Sequence, residues 1–103
     1  MKTIMVVDDE SDIIMQVKSC LENDDFEVIA VDNNRKALEL MGDSEEEFGL
    51  ILINTLLPGS NKSALFSMKP KIKRNIDTSN EEDFLQKPFT KEQLIDFVKS
   101  KMK

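Results

Sequence analysis

Short, unbroken apolar runs alternate with helical patterns along this chain, and that alternation is the strongest constraint on its fold. Residues 4–7 (IMVV) and 50–53 (LILI) are continuous aliphatic runs, and residues 26–31 are nearly so. Runs of this length, partly β-branched, are typical of strands that are covered on both faces, as in a parallel sheet. A weaker strand candidate is Phe84–Gln86.

Three helical patterns lie between and after these runs. Ser11 is a good N-cap, and apolar residues recur at helical spacing after it, which predicts a first helix. Asn33 or Asn34 can cap a second helix with Leu38 facing inward, and Thr90 opens a third with a capping box. The order β-α-β-α-β, followed by a less clear stretch and then β-α, predicts an α/β fold with helices on both faces of a parallel sheet.

Composition bounds the function classes. The chain has 103 residues, a length that favours a single domain. Its formal net charge of −6 disfavours nonspecific binding to nucleic acid. One cysteine and no histidine exclude a disulfide scaffold within the chain and the usual zinc ligand sets. No apolar stretch approaches the roughly 20 residues of a membrane span. We expect one soluble, cytoplasmic domain over residues 1–103, without a separate effector domain.

Polar residues stand at the carboxyl ends of the predicted strands, where parallel sheets place their ligand sites. If the first, third and last strands are neighbours, Asp8, Asp9, Asn54 and Lys87 converge on one crevice. Two adjacent carboxylates repel each other unless a cation such as Mg²⁺ offsets them. The simpler interpretation of the acidic residues is a helix-entry cluster that is favoured by the helix dipole. Lys87 taken alone is typical of a solvated surface lysine.

Three motifs in this order resemble the CheY-like receiver domain of two-component response regulators. They are residues 4–10 (IMVVDDE), 50–59 (LILINTLLPG) and 83–89 (DFLQKPF), the last followed by a helix. The resemblance covers residues 1–61 and 83–103. It implies a doubly wound, flavodoxin-like parallel sheet of order 2-1-3-(4)-5, shortened between the third and last strands.

The resemblance also assigns roles to individual residues. Asp8 and Asp9 would bind Mg²⁺, together with Asn54 and the backbone carbonyl of Leu56. Lys87 would contact the phosphoryl group, and the peptide bond that follows it would be cis.

Phe84 stands at the position of the family's switch aromatic, which reorients on activation. The switch hydroxyl has no clear counterpart here.

Position 54 departs from the family, because Asn54 stands where the family has its phospho-acceptor aspartate. A neutral amide is a poor nucleophile and cannot form an acyl phosphate. It also lacks the carboxylate charge that strengthens Mg²⁺ binding, so Mg²⁺ remains possible but weakened. An engineered replacement of a native aspartate would leave the same sequence.

The stretch between Asn54 and Lys87 is shorter than the family's usual spacing, so a later element is missing or reduced. We favour a third helix over residues 61–69, with Leu65 and Phe66 inward. The alternative is a fourth strand over residues 64–68, which leaves a crossover shorter than the dozen or so residues that parallel strands require. Candidates for the switch hydroxyl are Ser67, Thr78 and Ser79.

The function that these features favour is a degenerate receiver (a pseudo-receiver), a non-enzymatic, phosphorylation-independent signalling module. Its partner would be another signalling protein, either a histidine kinase or an output protein. We expect no nucleic acid or membrane partner, and a monomer or weak homodimer. The alternative is a phosphorylatable switch that uses another acceptor, or whose native aspartate was changed to Asn54. An unrelated enzyme on the same architecture is disfavoured, because the chain has no Gly-rich phosphate loop.

Overall fold

The apolar runs form the central sheet. The computed structural model describes residues 3–44, 48–57, 59–68 and 83–102, with residues 41–44 described in their backbone only. The sheet has five strands in the order β2-β1-β3-β4-β5. The strands are β1 (Thr3–Val7), β2 (Glu27–Val31), β3 (Phe48–Leu56), β4 (Ser63–Met68) and β5 (Phe84–Gln86).

Strand directions make the sheet mixed rather than fully parallel. β1 pairs in parallel with both β2 and β3, whereas β4 is antiparallel to both of its neighbours, β3 and β5. β5 therefore runs in the same direction as β1, β2 and β3. The α/β class and the predicted strand order are confirmed, and the expectation of a wholly parallel sheet fails at β4 alone.

The favoured helix over residues 61–69 was wrong, and the alternative strand is correct: Ser63–Met68 is β4. The objection to that strand holds only for a parallel crossover, whereas antiparallel strands can be joined by a short loop. β3 ends at Leu56 and β4 begins at Ser63, and in the loop between them the N–H of Leu57 donates to the carbonyl of Lys62 at 2.9 Å. Leu65 and Phe66 are both buried, and in a strand such neighbours lie on opposite faces.

The described residues contain three helices, with α1 and α3 on one face of the sheet and α2 on the other. Their bounds are α1 (Ser11–Glu22), α2 (Asn34–Ser44) and α3 (Lys91–Lys101). No helix in these residues has the length and apolar character that crossing a bilayer requires.

One core cluster joins α1, α3 and the sheet, and the other joins α2 and the sheet. The buried residues of the first are Ile4, Val6, Val17, Cys20, Leu21, Leu50, Leu52, Leu65, Phe89, Leu94 and Val98. Those of the second are Met5, Val7, Val31, Ala37, Phe48 and Ile51.

Helix ends follow the predicted capping residues in two of three cases. The Asn33 side chain accepts from the Lys36 N–H at 2.9 Å, and Thr90 and Gln93 form the reciprocal capping box. Ser11 is instead the first helical residue of α1, and Glu10 occupies the N-cap position without a side-chain cap. Leu38 is 67% exposed, which contradicts its predicted inward orientation.

Cys20 is a core residue rather than a reactive thiol. It is buried in α1, with its Sγ 4.0 Å from the Lys91 carbonyl oxygen. Burial raises the pKa of the Cys20 thiol, because the thiolate would lose its hydration.

We expect a thiol reagent at neutral pH to label Cys20 much more slowly in the folded chain than in urea. Equal labelling rates would contradict this burial.

Two helical leucines, one buried and one exposed, provide a matched test of the packing. Leu94→Ala is expected to lower the free energy of unfolding by about 2–5 kcal/mol, because Leu94 is fully buried between α3 and the sheet. Leu38→Ala is the control and should change it by no more than about 0.5 kcal/mol. Urea unfolding followed by circular dichroism measures both. A larger loss for Leu38→Ala than for Leu94→Ala would contradict this arrangement of α2 and α3.

Candidate functional site

One edge of the sheet gathers the polar residues that the sequence singles out. Asp8 follows β1, Asn54 lies near the end of β3, and Lys87 follows β5. Because β4 is reversed, its beginning rather than its end lies at this edge. The Lys87 N–H donates to the carbonyl of Ser63 at 2.9 Å, which attaches the end of β5 to the start of β4.

Lys87 is the centre of the site. Its Nζ donates to Asp8 Oδ2 at 2.9 Å and to Asn54 Oδ1 at 2.8 Å, and it lies 3.7 Å from Glu10 Oε1. The Lys87 side chain is only 9% exposed and that of Asp8 is fully buried. Loss of one partner from a buried ion pair costs about 3–5 kcal/mol, because the other charge is left without compensation.

Asp8 has a partner at each carboxylate oxygen. Oδ1 accepts from the Glu10 N–H at 2.9 Å, and Oδ2 accepts from Lys87. The N–H of Asp8 donates to the Val31 carbonyl at 3.1 Å, which ties the end of β1 to the end of β2. These contacts account for a carboxylate that is buried at the end of a central strand.

Asn54 connects the cation to the second acidic residue. Its Oδ1 accepts from Lys87, and its Nδ2 lies 3.4 Å from Asp9 Oδ1, at the long end of hydrogen-bond range. An aspartate at this position could accept from Lys87 but has no N–H to direct at Asp9. The amide therefore bridges an ammonium and a carboxylate without adding a charge to the site.

The expected Mg²⁺ ligands have suitable chemistry but are engaged with the lysine. Carboxylate oxygens of Asp8, Asp9 and Glu10 lie within 4.8 Å of one another, and Mg²⁺ prefers such oxygen donors. However, Asp8 Oδ2 and Asn54 Oδ1 both bind the ammonium of Lys87. A divalent ion bound here would share these two oxygens with Lys87 or compete with it for them.

The backbone of Leu56 is oriented away from β4. The N–H of Leu57 donates to Lys62 in the β3–β4 loop, and a trans peptide places the preceding carbonyl on the opposite side. The Leu56 carbonyl therefore points to the side of β3 on which β1 and its two aspartates lie. The Leu56 residue as a whole is 53% exposed.

Phe84 does not join the lysine site. Its ring packs against that of Phe66 with the centroids 5.0 Å apart, and Phe66 lies opposite Ile53 in the β3–β4 register. Ile53 packs against the α2 cluster, so this aromatic pair lies on the α2 face of the sheet.

The peptide between Lys87 and Pro88 is cis, as the resemblance implies.

Ser67 lies away from the site. It pairs with Leu52 rather than with a residue at the ligand edge, and its hydroxyl donates to the Asp83 carbonyl at 3.3 Å. Thr78 and Ser79 lie outside the described residues.

Ser63 is a hydroxyl residue near the site that was not among the predicted candidates. It stands at the start of β4, paired with Leu56, and lines a groove together with Lys87. The predicted helix over residues 61–69 did not bring Ser63 to this edge of the sheet. An antiparallel fourth strand would have placed it there.

Two open grooves flank the contacts of Lys87. The first, of about 420 Å³, is lined by Glu10, Ile13, Gln16, Lys62, Ser63, Lys87, Pro88 and Phe89. The second, of about 290 Å³, is lined by Val7, Asp8, Asp9, Asp32, Asn33, Asn34 and Asn54. The bonds from Lys87 to Asp8 and Asn54 join residues of the two grooves and lie between them.

Comparison with known proteins supports a receiver-like domain. The chain is 30% identical over 89 residues to a protein of Arabidopsis thaliana that is named as a two-component response regulator, ARR21. The matched region is 80% of this chain but 14% of that relative, so the chain spans a small part of the relative's length. No family model matches the chain. No solved structure matches it either.

The position of Asn54 leads to a prediction about metal affinity. Asn54→Asp adds a negative charge beside Asp9, so we expect it to tighten Mg²⁺ binding by about tenfold or more in isothermal titration. Asn61→Asp adds the same charge in the exposed β3–β4 loop and serves as the control. Unchanged affinity in Asn54→Asp, or an equal gain in Asn61→Asp, would contradict the placement of Asn54 beside the aspartates.

Proposed function

We propose that this chain is a signalling and protein-interaction module on a receiver-like fold that works without phosphorylation at position 54. Support comes from the similarity to a response regulator and from the convergence of Asp8, Asn54 and Lys87 at one edge of the sheet. In this proposal the edge is the counterpart of a phosphorylation site, and it performs no catalysis.

The observation that carries the proposal is the amide of Asn54 in direct contact with Lys87, 2.8 Å from its ammonium. An aspartyl phosphate requires a carboxylate oxygen that attacks phosphorus, and an amide oxygen is a much weaker nucleophile. Lys87, the proposed phosphoryl-contact residue, is also held by Asp8. A phosphoryl group would have to displace contacts that the amide and Asp8 already satisfy.

The proposed metal ligands are Asp8, Asp9, Asn54 and the Leu56 carbonyl, with Mg²⁺ bound weakly at most. When bound, Mg²⁺ would neutralise the acidic residues of this edge. The engaged oxygens of Asp8 and Asn54 favour a site that is occupied by Lys87 instead.

The proposed partner is another signalling protein, either a histidine kinase or an output protein. The chain would contact it in the cytoplasm. The net charge of −6 disfavours nucleic acid as that partner. A monomer or weak homodimer would suffice for such contacts. In this proposal Phe84 keeps the position of the switch aromatic but rests on Phe66 without a phosphoryl group to move it.

A phosphorylation assay tests the proposal. After incubation with Mg²⁺ and acetyl phosphate, the intact mass of the chain should be unchanged, because Asn54 offers no carboxylate. A phosphorylatable receiver in the same reaction controls for the donor. An adduct of one phosphate that hydroxylamine removes would contradict the proposal and favour the phosphorylatable switch.

A further inference from the structure

Lys87 lies where a bound cation would neutralise the acidic edge of the sheet. We infer that its ammonium is the permanent counter-cation of this site, so that the site is complete without a metal. The inference deepens the proposed function and rests on it, because an amide that is never phosphorylated leaves Lys87 bound to the site itself. No metal-dependent step is then needed to order this edge.

The ammonium is hydrogen-bonded to two side chains of the site and lies near a third. Lysine offers three N–H donors, and Nζ lies within 4.0 Å of oxygens from Asp8, Asn54 and Glu10. The two short contacts are with Asp8, which directly follows β1, and with Asn54 of β3, and the longer one is with the exposed Glu10. With its side chain 9% exposed, Lys87 has exchanged most of its hydration for these contacts.

Charge at the edge explains why one lysine is enough. Three carboxylates lie close together, but only that of Asp8 is buried, while Asp9 and Glu10 are exposed to water. The neutral Asn54 adds no fourth negative charge and directs its Nδ2 at Asp9. The buried charge thus has its own counter-charge, and the remaining two are solvated. An aspartate at position 54 would remove that balance.

The contacts of Lys87 also fix the approach to α3. Lys87 precedes Pro88 and the cap residue Thr90, so its bonds to Asp8 and Asn54 anchor this loop to β1 and β3. Gln16 of α1 adds a weaker bond from its Nε2 to the Phe89 carbonyl at 3.4 Å. These contacts hold the loop against the sheet and α1, and we expect it to present the same surface to a partner with or without Mg²⁺.

Thermal unfolding with Mg²⁺ or with EDTA tests the inference. The Tm of the unmodified chain should be the same in both conditions. Lys87→Met should lower the Tm in EDTA by about 10 °C or more, because Asp8 loses its counter-charge, and Mg²⁺ should restore part of that loss. Lys62→Met removes a lysine of the same groove that has no ion pair among the described residues, and it should behave as the unmodified chain.

Two results would overturn the inference: a Tm of the unmodified chain that rises with Mg²⁺ as much as that of Lys87→Met, or a Lys87→Met variant as stable in EDTA as the unmodified chain. If Lys87→Met fails to fold, the double variant Asp8→Asn with Lys87→Met removes both charges. Its folding would support the inference, and its failure to fold would contradict it. No phosphodonor is present, so these outcomes are independent of the acetyl phosphate assay.

Discussion

The buried ion pair between Lys87 and Asp8 is the interaction on which the polar edge of the sheet depends. The two residues are 79 positions apart in sequence, and their contact joins the end of the last strand to the end of the first. Such a pair contributes to stability only when its charges are also hydrogen-bonded. Here Asn54 and the Glu10 N–H supply those bonds, so the pair belongs to a network of β1, β3 and β5.

The amide at position 54 contacts Lys87 and Asp9 without adding a charge to this edge. A receiver that accepts phosphate must hold a nucleophilic carboxylate, a metal and a lysine together, and phosphorylation changes the charge that these groups share. With Asn54 the same geometry has one negative charge fewer, and the lysine satisfies the oxygen atoms directly. In the proposed function, this edge is a fixed contact between strands next to the loop that leads into α3.

Much of this arrangement was predictable from sequence. The misassigned β4 and the contacts of Lys87 were not, because they depend on residues that are far apart in the sequence. The apolar runs of β1 and β3 and the capping box at Thr90 determine their elements locally, so their patterns sufficed. The convergence at the sheet edge followed from the rule for parallel strands. β4 was misassigned because residues 63–68 fit a helix face as well as a strand, and only long-range pairing with β3 decides between them. The contact of Lys87 with both Asp8 and Asn54 likewise depends on side-chain geometry that no pattern encodes.

A structure determined in the presence of Mg²⁺ and beryllofluoride, a phosphoryl mimic that binds carboxylates, would show whether Lys87 remains bound to the site. We expect Lys87 Nζ to stay within hydrogen-bond distance of Asp8 and Asn54, with no beryllofluoride attached at residue 54. A mimic bound between Asn54 and a displaced Lys87, beside a metal on the two aspartates, would contradict it.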